Sequence, residues 1–233
     1  MDVIPSIDLE NGRSRIVYWP GAASGVGAPT DRPDRIAIEF VKLGARLLHL
    51  VDFDGARAGK PVNLEAVGSI AGHVAVPLQI AGGVETADAI RLAFGAGATR
   101  VVLPLGVADE PDTLRECVAV AGEWLAVGLD PRPDRLAAFP WRRPAPPTID
   151  GLAQELIAAG VSRLVLSHGG SGPDLDLIGR LSASAPIDIL VAGGVRELDA
   201  LRALRDAGVS GVILGEALLS GAIAYDDALQ AAA

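Results

Sequence analysis

Cysteine is almost absent from this chain. Cys117 stands alone, so no internal disulfide and no cysteine-based zinc cage can form, a usage that fits a reducing cytoplasm. Histidine is scarce as well: His49, His73 and His168 show no metal-ligand spacing, and neither a metal nor an organic cofactor is expected. No apolar run approaches the roughly 18 residues that a membrane-spanning helix needs, and no basic segment with an apolar signal core opens the chain. Positive charge is in deficit, with 20 Lys and Arg against 29 Asp and Glu and a net charge of -9. The clustered cations that nucleic acid or an anionic membrane surface requires are therefore missing, and any anionic ligand must be held locally.

What the chain does have is hydrophobic mass and punctuation. Half of its 233 residues are hydrophobic, enough for a substantial core, and 28 Gly and 16 Pro fall mostly between the apolar runs. One domain over residues 1–233 is expected, close to the roughly 250 residues of a standard (β/α)8 barrel. Eight short runs rich in Val, Ile and Leu read as parallel strands covered by helices: 3–8, 47–52, 77–81, 100–104, 124–130, 163–167, 187–192 and 211–215. Periodic helices lie between them. Ile36, Phe40 and Leu43 share one helix face before Gly44, and Leu198, Leu201 and Leu204 share another before Gly208.

An internal repeat sharpens the fold. Ala81-Gly82-Gly83-Val84, followed by a helix and Gly97-Ala98-Thr99-Arg100-Val101-Val102-Leu103, returns after 111 residues as Ala192-Gly193-Gly194-Val195 and Gly208-Val209-Ser210-Gly211-Val212-Ile213-Leu214. A (β/α)8 TIM barrel built from two half-barrels satisfies this pattern; an open doubly wound sheet is its competitor.

Reactive groups in such barrels sit where strands end, which singles out Asp8, Asp52, Asp54 and Asp130. Asp8 ends strand 1 and Asp130 ends strand 5, opposite one another in a ring of eight, where one carboxyl can protonate a ligand while the other deprotonates it. Each Asp could instead cap a turn or helix. The glycine pairs Gly82-Gly83 and Gly193-Gly194 precede helices whose free amides favour an anion, and Gly215 closes strand 8 beside the second pair. Turn glycines are the plain alternative. His49, inside strand 2, reads equally as a core histidine or a ligand contact. Trp141, with Arg142 and Arg143 in the loop after strand 5, and Arg15 with Trp19 after strand 1, are candidates to close over an anionic ring system.

These residues resemble the phosphoribosylformimino-aminoimidazole carboxamide ribotide (ProFAR) isomerases of histidine biosynthesis over nearly the whole chain. Ile4-Pro5-Ser6-Ile7-Asp8-Leu9, Asn11-Gly12, Gly82-Gly83-Val84, Val127-Gly128-Leu129-Asp130 and Gly193-Gly194-Val195 carry the likeness. Leu48-His49-Leu50-Val51-Asp52-Phe53-Asp54-Gly55-Ala56 is its most specific part. The resemblance implies an Amadori rearrangement of an aminoaldose ribosyl phosphate without metal or organic cofactor, with a phosphorylated small molecule as partner; separately, a monomer is expected. Asp130 would be the general acid at the ribose ring oxygen and Asp8 the general base at C2. Ser167 would keep the hydroxyl of a strand 6 threonine, His49 would shape the sugar pocket, and the glycine pairs would hold two phosphates.

Four departures stand beside this likeness. Pro104-Leu105 replaces a Gly-Thr of the first phosphate site, removing an amide donor and a hydroxyl. The loop after strand 6, His168-Gly169-Gly170-Ser171-Gly172-Pro173, is short, Glu216 brings negative charge near a phosphate position, and Tyr18-Trp19-Pro20-Gly21 breaks the usual strand 1 loop pattern. They motivate an alternative: a diverged barrel that acts on or binds a smaller, singly phosphorylated sugar, or a non-catalytic phosphate-binding barrel.

Overall fold

Eight parallel strands pair in chain order: β1 (Asp2–Glu10), β2 (Leu48–Asp52), β3 (Leu78–Ala81), β4 (Arg100–Pro104), β5 (Leu125–Leu129), β6 (Arg163–Ser167), β7 (Asp188–Ala192) and β8 (Gly211–Leu214). The computed structural model describes residues 1–18, 30–168, 172–184 and 186–233. Pairing of Asp2 with Gly211 through Pro5 with Leu214 joins β1 to β8 and closes the barrel, which excludes the open doubly wound sheet. Each strand stands within two residues of where its apolar run predicts it. Arg13–Ser14 adds a two-residue antiparallel extension to β1.

Among the described residues, eight outer helices follow: α1 (Pro33–Lys42), α2 (Leu64–Ala71), α3 (Ala87–Gly95), α4 (Pro111–Ala121), α5 (Ile149–Ala158), α6 (Leu175–Ser184), α7 (Leu198–Asp206) and α8 (Tyr225–Ala232). They bury their apolar stripes against the outer barrel wall. Ile36 and Phe40 of α1, and Leu201 and Leu204 of α7, are essentially inaccessible; a Leu→Ala change at such a position costs about 2–5 kcal/mol. The C-terminal α8 is tied to the first strand by the Tyr225 hydroxyl, which donates to Val3 O at 2.9 Å. Inside the barrel, Ile4, Val102, Ala126, Val165, Leu190 and Ile213 form a separate apolar layer.

The repeat offset of 111 residues is kept in three dimensions. Helix α3 maps onto α7, and the four-residue helix after β4 (Leu105–Ala108) maps onto the one after β8 (Glu216–Leu219). Alternate helices also stop the same way. At Gly44, Gly97, Gly160 and Gly208, all with positive φ, the glycine N–H donates to the carbonyl three residues back and the following N–H to the one five back. The glycine expected to stop α7 does so in this manner, and Gly44 does the same for α1.

Candidate active site

The strand alternation that packs the barrel also selects what faces its mouth. On β1, Ile4, Ser6 and Asp8 share the inner face, so above the apolar layer come a hydroxyl and then a carboxylate. A cavity of about 470 Å3 opens at the carboxyl ends of the strands, lined by Asp8, His49, Gly82, Gly83, Ser167, Gly193 and Gly215 among the residues predicted from sequence. Ser6, Glu85 and Glu216 also line it. Among the described residues, no Lys or Arg reaches its wall. A second cavity of about 430 Å3 shares Gly193, Gly215 and Glu216 and adds Gly194 and Arg196 at the ends of β7 and β8.

Asp8 is partly buried, and loss of solvent raises its pKa despite the opposing charge of Arg15 and a hydrogen bond from Ser6 Oγ at 3.4 Å. Asp130 is in the opposite state. The Arg132 guanidinium grips it, Nε at 2.8 Å and Nη2 at 2.5 Å, and the Arg132 amide adds a third bond at 3.1 Å, so its pKa is lowered. Asp130 follows β5 and stands outside the cavity wall, to which β5 contributes Gly128.

The other two strand-end carboxylates are structural: Asp52 caps the short helix Phe53–Ala58, and Asp54 holds the β1 turn. Asp52 is fully buried and accepts from Gly55 N, Val62 N, Asn63 N and Asn63 Nδ2 at 2.6–2.9 Å. Asp54 accepts from Asn11 N at 2.6 Å and from Asn63 Nδ2 at 2.9 Å, while Gly12 N donates to Asn63 Oδ1 at 2.8 Å. One network therefore ties the β1 turn to the β2 end, with Asn63 at its centre.

The glycine pairs have matching backbones. Gly82 and Gly83 have φ of +98° and +72°, Gly193 and Gly194 of +76° and +74°. A Cβ on Gly82 would stand 2.1 Å from Asp52 O, so this pair is required by packing whatever it binds. Helix α3 begins only after Thr86, whose hydroxyl caps Ala89 N at 3.2 Å.

Besides Asp130, two further predicted residues, Arg15 and Trp141, are placed away from the cavity wall. The Arg15 guanidinium lies 4.0 Å over the Phe53 ring, with Nε 3.3 Å from Glu10. Trp141 donates through Nε1 to Leu136 O at 2.7 Å, packs edge-on against Phe139, and carries Arg143 on its face. Arg143 is itself paired with Asp109 and Glu155. Trp19, Pro20 and Gly21 of the β1 loop, and Gly169, Gly170 and Ser171 after β6, lie outside the described residues.

Sequence reasoning missed Arg132, Gln79 and Arg100. Gln79 Nε2 lies 2.8 Å from His49 Nδ1, and Arg100 Nη1 donates to Gln79 Oε1 at 3.2 Å. The available signal was a glutamine and an arginine at inward positions of strands that otherwise carry apolar residues there.

A closed barrel of eight βα units with a strand-end cavity flanked by carboxylates is the architecture of TIM-barrel enzymes that work at this rim. The family profile described as "Histidine biosynthesis protein" matches residues 2–224. The chain belongs to that family. It is 37% identical over 240 residues to a protein of Gloeobacter violaceus, covering 100% of this chain and 94% of the relative. It is 35% identical over 236 residues to one of Roseiflexus castenholzii, covering 99% of each. Both relatives are named 1-(5-phosphoribosyl)-5-((5-phosphoribosylamino)methylideneamino)imidazole-4-carboxamide isomerase.

Proposed function

We propose that this chain catalyses the Amadori rearrangement of ProFAR to its aminoketose. The observation that carries the reading is the pair Asp8 and Asp130 at the ends of β1 and β5, four strands apart in a closed ring of eight, in a chain whose relatives bear that isomerase name. Asp130 donates a proton to the ribose ring oxygen as the C1–O bond breaks and the amine lone pair forms a C=N bond. Asp8 then removes the proton from C2 to give the enolamine. Return of a proton to C1 and loss of the 2-hydroxyl proton complete the ketose. Hydrogen passes from C2 to C1 without net oxidation, so the step balances with no external oxidant or reductant.

The electrostatics support part of this directly. A carboxylate whose proton affinity is raised by burial, as at Asp8, is a stronger base than an exposed one. Asp130 cannot act as an acid while Arg132 holds it ionised. Binding must therefore draw the guanidinium away, and a phosphate oxygen of the substrate is the natural competitor for it. Backbone amides at Gly82-Gly83 and at Gly193-Gly194-Gly215, with Arg196 beside the latter, hold the phosphates in this reading. Turnover of purified ProFAR tests the proposal: conversion at about 1–1,000 s⁻¹ is expected, and a folded but inactive protein overturns it.

One observation favours the second reading, a smaller sugar with a single phosphate. The half-barrel counterpart of Gly215 is Pro104, which lines the same cavity and has no N–H to offer. Titration with inorganic phosphate separates the two: two bound phosphates fit ProFAR, and one fits the smaller substrate.

A further inference from the structure

Three polar side chains run across the barrel interior beneath the cavity: His49 on β2, Gln79 on β3 and Arg100 on β4. Gln79 is fully buried and His49 nearly so. Their hydrogen bonds can be given directions starting from one end. A guanidinium stays protonated and has only donors, so the Gln79 atom that faces Arg100 Nη1 at 3.2 Å has to be the amide oxygen. The other end of the amide is then the NH2 group, and it faces His49 Nδ1 at 2.8 Å. Nδ1 must accept. A neutral imidazole that accepts at Nδ1 carries its proton on Nε2.

A protonated ring would set Nδ1–H against the Gln79 amide hydrogens with a cation behind them. Burial and the Arg100 charge accordingly push His49 down to about 4. The neighbour on the other flank is Ser6, which is opposite His49 in the β1–β2 register and offers no charge; the nearest carboxyl on that strand, Asp8, lies one inward position higher. Arg163, Asp188 and Asp2 surround Arg100 at the opposite end of the barrel.

His49 lines the cavity, and among the described residues no protein group hydrogen-bonds its Nε2. Arg100 meanwhile keeps its Nε buried without a hydrogen-bond partner among the described residues, next to the like charge of Arg163. A side chain retained for stability alone would not be expected in that state. We propose that Gln79, oriented by Arg100, is a positioning residue that fixes His49 as the neutral Nε2–H tautomer and so presents a fixed hydrogen-bond donor to a substrate oxygen. The substrate half of this statement rests on the isomerase reading; the tautomer does not.

The test is long-range 1H–15N correlation on the full chain labelled with 15N-histidine. Only three rings contribute, and His49→Asn identifies the one of interest. The wild-type ring should show Nε2 protonated and Nδ1 bare, unchanged from pH 8 to pH 5. Gln79→Glu turns the facing group into an acceptor, so Nδ1 should gain a proton and the ring should begin to titrate near or above its ordinary range. Should that variant fail to fold, Arg100→Met frees the amide to flip, and both tautomers should appear. With ProFAR as substrate, Gln79→Glu should lower kcat/KM at least about tenfold, and combining it with His49→Asn should add little to the loss from His49→Asn alone. A wild-type ring protonated at Nδ1, or a tautomer indifferent to the substitutions in folded protein, overturns the proposal. A correct tautomer in a wild type that does not turn over ProFAR leaves the positioning intact and removes the isomerase reading instead.

Discussion

At Asp8 and Asp130 the same side chain is driven in opposite directions by what stands next to it. Asp8 loses solvent and binds its proton more tightly; Asp130 gains Arg132 and releases its proton more readily. The consequences for stability follow by sign. For Asp8 the folded pKa lies above the unfolded one, so its contribution favours the fold at acid pH and is lost as pH rises through the folded pKa. At pH 7 it is a desolvated charge that weakens the fold. Asp8→Asn should therefore raise Tm at pH 7 by roughly 2–4 °C, the shift that about 1 kcal/mol produces in a domain of this size, and the gain should vanish towards pH 3 in a thermal melt series. An unchanged or lowered Tm at pH 7 would contradict the burial argument. Asp130 has the opposite sign: its folded pKa is depressed, so its stabilisation is present above the unfolded pKa and lost as pH falls through the folded one. Because the Arg132–Asp130 pair sits at the solvent-exposed rim, Arg132→Leu should leave the thermal melt close to that of the wild type. The same substitution should move the Asp130 carboxyl titration upward when followed by 13C NMR, and a midpoint left in place would show that Arg132 does not hold it.

Among the elements, the β1 turn and the β2 end are fastened by Asp52, Asp54, Asn63 and the Asn11-Gly12 backbone. Asp52→Ala would strip acceptors from three buried or partly buried amides and from the Asn63 side chain. A loss of roughly 3 kcal/mol or more in urea unfolding is expected, since each orphaned buried donor costs about 1–3 kcal/mol. Gly82→Ala should match it, because a Cβ there would collide with Asp52 O in a backbone conformation that alanine avoids. Denaturation midpoints near wild type for either variant would refute the network. The strands were legible because parallel strands buried on both faces read as uninterrupted apolar runs, and helix α7 because Leu198, Leu201 and Leu204 recur at helical spacing. What each strand-end Asp does was not legible. Asp52 and Asp130 look alike in sequence, and the difference is made by groups that arrive from elsewhere in the chain or by a neighbouring arginine's rotamer. The link from Arg100 through Gln79 to His49 depends on the register of three strands, which composition and periodicity leave open.

At the scale of the whole molecule, two halves offset by 111 residues supply matched glycine pairs and matched short helices, yet differ at Pro104 and Gly215. The symmetry explains why the sequence revealed a barrel before any site, and the asymmetry leaves the cavity wall without a backbone N–H at Pro104 where the other half has one at Gly215. Closure of the ring puts β1 across from β5, so Asp8 in the cavity wall and Asp130, just past the strand that supplies Gly128 to that wall, come from opposite sides of one barrel mouth. The measurement that tests this account most directly is isomerase turnover on ProFAR by wild type, Asp8→Asn and Asp130→Asn, with folding checked by thermal melts. Wild-type turnover, and losses of at least about 100-fold in each variant with the fold intact, are predicted from the typical contribution of a positioned general acid or base. Retention of near-wild-type turnover in either variant would contradict the acid–base pair.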